Sequence, residues 1–223
     1  MERQIIQTSD GSTTIHLPQW DESYHSRHGA IQEARHVFIR NGFTLVPSDR
    51  ISILEIGFGT GLNALITFLA SVATGKSVDY TGVEAYPVSA HEVLQMNYVE
   101  ALGTHACAGI FEQMHQSAWE VPMGIGSGAT EFTLTKRKQF FHQIDDVDRF
   151  DLIYFDAFGF RVQPELWSHE IFGIMYRALR PGGILVTYAA RSVIKRNMSA
   201  AGFTVDKCPG PPGKREMFRA TKP

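Results

Sequence analysis

The chemistry this chain can do is concentrated in three acids and a glycine loop. Glu55-Ile-Gly57-Phe-Gly59-Thr-Gly61 lies between a strand-like run, Ile51–Ile56, and an apolar helical run, Leu62–Ala73. Glycines at such a junction let the backbone turn sharply and approach a ligand, with the helix N-terminus aimed at it. The spacing is G-x-G-x-G, which differs from the G-x-G-x-x-G dinucleotide fingerprint. Glu55 stands two residues before the first glycine, where a carboxylate suits an amine and would repel a diphosphate, so NAD and ATP are disfavoured. Glu84 ends the next strand-like run, Asp79–Glu84, and its two oxygens can accept from both hydroxyls of a ribose. Asp156 follows a third run, Asp151–Phe155. Each acid alone has a plainer role, as a solvated strand end or a turn cap. Together they would share the carboxyl edge of one parallel sheet, where ligands collect in open α/β folds.

The elements that must position these residues follow from periodicity. Ile5–Ile15 reads as a hairpin around Asp10-Gly11, and Gly29–Asn41 as a helix with Ile31, Ala34, Val37 and Phe38 on one stripe. Strand and helix then alternate: Ile51–Ile56, Leu62–Ala73, Val78–Val83, and a helix from about Val88 to Leu102. Ala106–Ala129, with Gly124, Gly126 and Gly128, reads as a helix followed by a loop, and Glu131–Thr135 as a strand. Ser168 is the expected N-cap of a helix to Leu179, which Arg180-Pro-Gly-Gly183 should end before a strand at Ile184–Tyr188. A helix at Ser192–Ala201 precedes Phe203–Val205, which is expected to pair with Glu216–Ala220. This alternation predicts an α/β fold with a mostly parallel sheet covered on both faces. One structural unit is expected, with residues 1–50 an N-terminal extension packed on a Rossmann-like core, 51–223.

The 223 residues are 43% hydrophobic and 20% charged, enough to bury a sizeable core. Twenty-one bases against 23 acids give a net charge of −2, which excludes coating of nucleic acid by bulk charge. The balance is uneven, however. From Arg191 onward, eight bases face only Asp206 and Glu216, a local +6 that fits either a solvated surface or a face for a polyanion. Cys107 and Cys208 are too few for a zinc cluster or a disulfide framework, and His25-Ser-Arg-His28 lacks a third ligand, so no metal is expected. With no apolar signal core in the first thirty residues and no run long enough to span a membrane, a soluble, cytoplasmic protein is expected.

The succession strand, E-x-G-x-G-x-G, helix, strand, acid resembles class I S-adenosylmethionine-dependent methyltransferases. Four stretches sharpen the likeness: Tyr24-His-Ser26 with Gly29–Phe38, Glu55–Asn63, Phe155-Asp156-Ala-Phe158 through Pro164-Glu-Leu-Trp167, and Arg180–Gly183 with Gly213-Lys214-Arg215-Glu216-Met217. Over nearly its whole length the chain is similar to the methyltransferase part of the bacterial MnmC family, including its stand-alone MnmD form. That resemblance implies S-adenosylmethionine as cofactor, held by Ser26, Glu55, Gly57, Gly59, Gly61, Asn63 and Glu84. It implies methylation of 5-aminomethyl(-2-thio)uridine at tRNA position 34, with Asp156 catalytic and a functional link to the enzyme that makes the aminomethyl group. Phe158 or Trp167, and equally Phe160 or Tyr188, would stack on the base; Lys195, Arg196, Lys214 and Arg215 would hold anticodon-arm phosphates. Family members commonly carry an acid near the adenine where this chain reads Lys136-Arg137, so Asp145, Asp146 or a backbone amide is expected to substitute. The flavin-dependent oxidase activity of bifunctional members is expected to be absent. Two other functions keep the same residues: a small-molecule amine methyltransferase or aminopropyltransferase, and a non-catalytic S-adenosylmethionine- or tRNA-binding module.

Overall fold

A computed structural model describes residues 2–126 and 130–223. Its centre is an eight-stranded sheet in which β4 (Arg50–Ile56), β5 (Ser77–Val83), β7 (Phe132–Arg137), β8 (Phe150–Phe155) and β9 (Leu179–Thr187) run parallel. β6 (Met123–Gly124) at one edge, and β10 (Thr204–Pro209) and β11 (Glu216–Thr221) at the other, complete the order β10-β11-β9-β8-β4-β5-β7-β6 with antiparallel pairings. The chain runs outward from β4 through β5 to β7, then returns to β8 on the opposite side of β4. That reversal opens a crevice at the carboxyl ends of β4 and β8, the place where doubly wound sheets bind ligands.

Two apolar layers flank the sheet. On one face α2 (Leu62–Thr74) buries Leu62, Leu65, Ile66 and Phe68 against Ile53, Tyr80 and Phe132. On the other, α6 (His169–Ala178) and α7 (Ser192–Ala200) bury Ile171, Phe172, Met175, Ile194 and Met198 against Leu54, Ile153 and Leu185. The inward strand residues are a near-continuous run of Ile, Leu, Val and aromatic side chains, as expected of strands covered on both faces. Ser168 caps α6 by accepting from the Ile171 amide. No helix among the described residues is long and apolar enough to cross a membrane.

Residues 4–23 form a separate three-stranded antiparallel sheet, β1 (Gln4–Gln7), β2 (Thr13–Leu17) and β3 (Glu22–Ser23), with the expected turn at Asp10-Gly11. α1 (Ala30–Ala34) continues as a π-helical turn through Arg40. The small sheet is tied over the crevice from both sides. Arg3 donates to the carbonyls of Tyr86 and Pro87, and Arg161 to those of Trp20 and Asp21.

Three expectations need correction. The single helix from Val88 to Leu102 is two short ones, α3 (Ala90–Val93) and α4 (Tyr98–Ala101), because Asn97 between them accepts from the Thr13 amide and donates to the Gly11 carbonyl. The helix ends before Arg180–Gly183 as expected, but β9 starts at Leu179 and not at Ile184, the irregularity being absorbed by a register shift between Phe150 and Leu152. The expected helix after Ala106 is α5 (Ala108–Gln116), but Met123-Gly124 then joins the sheet as β6. The part of that expectation on 127–129, Gly128 included, lies outside the described residues.

Candidate active site at the carboxyl edge of the sheet

A cavity of about 1180 Å³ opens at the crevice, walled by Gly57, Gly59, Asn63, Glu84 and Asp156 from the sheet edge. Arg3, Trp20 and Tyr24 of the N-terminal segment and Lys138, Phe140 and His142 of the segment after β7 close its other sides. The glycine loop is fixed from beneath. Gly57 and Phe58 donate to the Val83 carbonyl, Tyr98 Oη donates to Thr60 Oγ1 at 2.9 Å, and His115 Nε2 lies 3.1 Å from the Thr60 carbonyl. A proton on Nε2 is required for that last bond. Burial pushes His115 down to about 4, with Lys136 adding to the effect and the Thr60 carbonyl opposing it, so the ring is neutral at neutral pH. Gly61, at φ 75°, leaves no room for a side chain, since a Cβ there would come within 2.8 Å of His115 Nε2.

Glu84 is held by two backbone amides: Gly59 donates to Oε2 at 3.0 Å and Tyr86 to Oε1 at 2.8 Å. Each oxygen keeps a lone pair for a further donor, the arrangement that suits a vicinal diol. The loop, the oriented carboxylate and the cavity size therefore fit a nucleoside cofactor. Lys136 does not reach it. Its Nζ donates to the His115 carbonyl at 2.7 Å and lies 4.9 Å from the Trp119 ring centre, and burial lowers it to about 8. Arg137 pairs with Asp146 at 2.5 Å, and Arg149 holds the same carboxylate. Asp146 is therefore committed to an ion pair and cannot stand in for the missing acid. Asp145 is exposed and absent from the cavity wall.

Asp156 continues β8, its amide donating to the Ile56 carbonyl. Asn63 Nδ2 donates to Asp156 Oδ2 at 2.9 Å and to Glu55 Oε1 at 2.9 Å. Burial pushes Asp156 up to about 7, the nearby Glu33 adds to this, and Asn63 and Lys214 oppose it. Glu55 is raised well above the usual carboxylate range by burial, against the hydrogen bond from Asn63. It is 0% exposed and absent from the cavity wall, so the expectation that Glu55 itself reaches a ligand amine does not hold.

The remaining predicted residues divide. Phe158 lines the cavity, with Tyr24 and Trp20 edge-on at 5.0 and 5.5 Å. Tyr188 lines it too, donating to the Ala157 carbonyl at 2.8 Å. Trp167 is 0% exposed, with Nε1 donating to the Phe158 carbonyl, so it supports the wall and cannot stack on a base. Ser26 belongs to a smaller cavity of about 180 Å³ beside the first, where its amide donates to Glu33 Oε2. Lys214 lines that smaller cavity, bonds Glu33 Oε1, and sits 3.8 Å from the Tyr188 ring centre, which removes it from the exposed phosphate contacts. Lys195 is half-buried on α7, while Arg196 and Arg215 are exposed. Sequence reasoning gave no site role to Arg3, Trp20, Tyr24 and Glu33, although Tyr24 and Glu33 lie in a stretch that carries the family resemblance. No group of three or more metal-ligating side chains occurs among the described residues.

An open α/β sheet with a glycine loop and the oriented Glu84 carboxylate at its switch point defines a fold and a site suited to a nucleoside cofactor. Residues 110–223 match the family described as S-adenosyl-L-methionine-dependent methyltransferase, and the chain belongs to that family. Among curated proteins it is similar to the tRNA 5-methylaminomethyl-2-thiouridine biosynthesis bifunctional protein MnmC of Ralstonia nicotianae, 31% identical over 92% of this chain and 32% of that protein. The protein of the same name from Cupriavidus metallidurans is 29% identical over 95% of this chain and 33% of its own length. The chain thus spans about a third of these relatives. Its fold is that of MnmC2 from Aquifex aeolicus (TM-score 0.78, 23% identity, 99% of this chain and 70% of that one). A spermidine synthase from Thermotoga maritima shares the fold at TM-score 0.61 and 13% identity, over 98% of this chain and 68% of that one.

Proposed function

We propose that the chain transfers the methyl group of S-adenosylmethionine to the amine of 5-aminomethyl(-2-thio)uridine at position 34 of tRNA, giving the 5-methylaminomethyl product. One observation carries this reading: Asp156 faces the same cavity as the glycine loop and Glu84, with aromatic rings beside it and Oδ1 free of any described partner. The similarity to MnmC proteins along nearly the whole chain supports the same substrate. The site is read as cytoplasmic in action, as befits a tRNA substrate.

When bound, S-adenosylmethionine supplies a methyl group already activated by a sulfonium. Gly57, Gly59 and Glu84 would hold it, Glu84 through the ribose hydroxyls. What this chain must add is alignment of the nucleophile, worth on the order of 7–11 kcal/mol in favourable cases. An alkylamine attacks only as the neutral base, and positive charge develops on its nitrogen as the new bond forms. Asp156 accepts a hydrogen bond from that amine and stabilises the developing ammonium, a contribution that grows toward the transition state. Phe158, Tyr24, Trp20 and Tyr188 give the unstacked base an apolar, aromatic wall. A base in an anticodon loop is splayed out at little unstacking cost.

Mass spectrometry of wobble nucleosides tests the reading. Cells lacking the protein should accumulate 5-aminomethyl(-2-thio)uridine and lose the methylated form. Unchanged methylated nucleoside would overturn it.

A further inference from the structure

Beneath the cavity floor lies a polar cluster that the proposed reaction does not use. Glu55, Thr67, Tyr80 and Tyr154 are each 0% exposed, yet they sit on the apolar face that α2 covers, with Asn63 among them. Burying a carboxyl group costs several kcal/mol unless it is neutral or well bonded, and a Leu at position 55 would pack more cheaply. The cluster is therefore held for what it does.

What it does is visible in the hydrogen bonds. The Asn63 amide has two protons, and both are spent on carboxyl oxygens: one on Glu55 Oε1, the other on Asp156 Oδ2. Turned over, the amide would set Oδ1 against the oxygen of an ionised Asp156, an acceptor facing an acceptor. Asn63 itself is fixed in the first turn of α2, where its carbonyl accepts from Thr67 Oγ1. Glu55 Oε2, Asn63 Oδ1 and Tyr80 Oη are buried without a partner within hydrogen-bond distance. Such incompletely satisfied polar groups in a native core ask for a functional reason.

We propose that Asn63 is a positioning residue: anchored by Glu55 below, it fixes the orientation of the Asp156 carboxylate so that Oδ1 alone is presented to the substrate amine. This rests on Asp156 being the acid that meets the amine. It reassigns Glu55 and Asn63 from holding the cofactor to aiming the catalytic carboxylate. Burial raises Glu55 well above the usual carboxylate range, which disfavours a second negative charge next to Asp156.

The test combines variants with a double-mutant cycle on the full chain, reading kcat, KM for S-adenosylmethionine and calorimetric cofactor affinity. Asn63→Ser, which cannot span both carboxyl groups, should lower kcat roughly 10- to 100-fold, the scale of an ångström-sized misplacement, with cofactor affinity nearly unchanged. On an Asp156→Asn background the same substitution should cost almost nothing, since the group it aims is already gone. Glu55→Gln keeps an acceptor oxygen for Asn63 and should hold kcat within about threefold, whereas Glu55→Leu should fall to the Asn63→Ser level. The inference is overturned if Asn63→Ser or Glu55→Gln chiefly weakens cofactor binding, or if the Asn63→Ser penalty persists without Asp156. Wild-type turnover on aminomethyl-uridine tRNA and its loss in Asp156→Asn form the separate control: failure there would sink the underlying reading and not the aiming device alone.

Discussion

At the carboxyl edge of β5 and β8, the acids Glu84 and Asp156 are held by neutral amide N–H groups. In the C-terminal segment the bases stay near the surface, and half of the eight meet an acid. Lys207 pairs with Glu216, Arg219 with Asp206, Lys222 with Asp148 and Lys214 with Glu33. The difference decides which charges remain usable. A carboxylate oriented by an amide keeps its charge and a lone pair for a ligand, whereas a base already paired has given most of its field to its partner. The local +6 of the sequence is thus reduced to Arg191, Lys195, Arg196 and Arg215, which have no carboxylate partner among the described residues.

The largest effect is expected at Asp156. Asp156→Asn should lower the methylation rate by at least about 100-fold, in the range general acid–base and charge-stabilising groups supply, with little change in S-adenosylmethionine affinity. Single-turnover kinetics beside calorimetry separates the two. If cofactor binding falls instead, the acid belongs to the other half of the cavity.

Acidity probes the same group without mutation. With Asp156 raised to about 7, its protonation removes the charge that stabilises the ammonium while protonation of the amine adds to the loss, so the rate should drop at least tenfold per pH unit below about 7. The stability consequence has the opposite sense. Its folded value lies above the ordinary 3.8, so folding binds a proton between these values and stability is lost as pH rises through about 7. Asp156→Asn should therefore gain melting temperature over the wild type at pH 8 and show no such gain below about pH 4. A pH-independent difference would mean the carboxyl group titrates normally.

Glu84→Ala should weaken S-adenosylmethionine binding by about 1–3 kcal/mol, the scale of charge-assisted hydrogen bonds, while NAD remains a poor ligand. Calorimetry with both ligands checks it, and equal affinities would remove Glu84 from the site. The smallest effect is expected at the surface. Lys195→Ala with Arg196→Ala should lower tRNA affinity and reduce the slope of log affinity against log salt by about 1–2, leaving cofactor affinity intact. Lys214→Ala should instead destabilise the fold, because it strands the buried Glu33. Equal behaviour of the two variants in a salt titration and a melt would mean that paired and unpaired bases serve alike.

Much of the sheet was legible because β4, β5 and β8 are short apolar runs that end in an acid or glycines. Their carboxyl ends had to converge once the strands were parallel. What each acid does was less legible. Glu55 and Glu84 look alike in sequence, but strand pleating turns Glu55 under α2 while Glu84 extends past its strand to the cavity. The pairing of Lys214 with Glu33 spans 181 residues and left no local trace. Lys136 stands where the family resemblance places an acid near the adenine, yet its amine is turned inward to a backbone carbonyl. Helix periodicity continued through Asn97, where a hydrogen bond from the hairpin, invisible to any local pattern, interrupts it.

Gly57 has a consequence for how mutational scans of such proteins are interpreted. With φ at 91°, a Cβ on it would come within 2.8 Å of the Asp156 carbonyl, so the loop and the acid's backbone are in contact. A glycine that would ordinarily be credited with making space for a cofactor here makes space for the neighbouring strand. Any larger residue at position 57 must displace Asp156 or the loop, and both halves of the reaction would fail together. A screen that scores turnover alone would record that failure as lost cofactor binding. The first glycine of the loop is better regarded as a hinge pin shared by two functions, and its tolerance to change should be the lowest of the three.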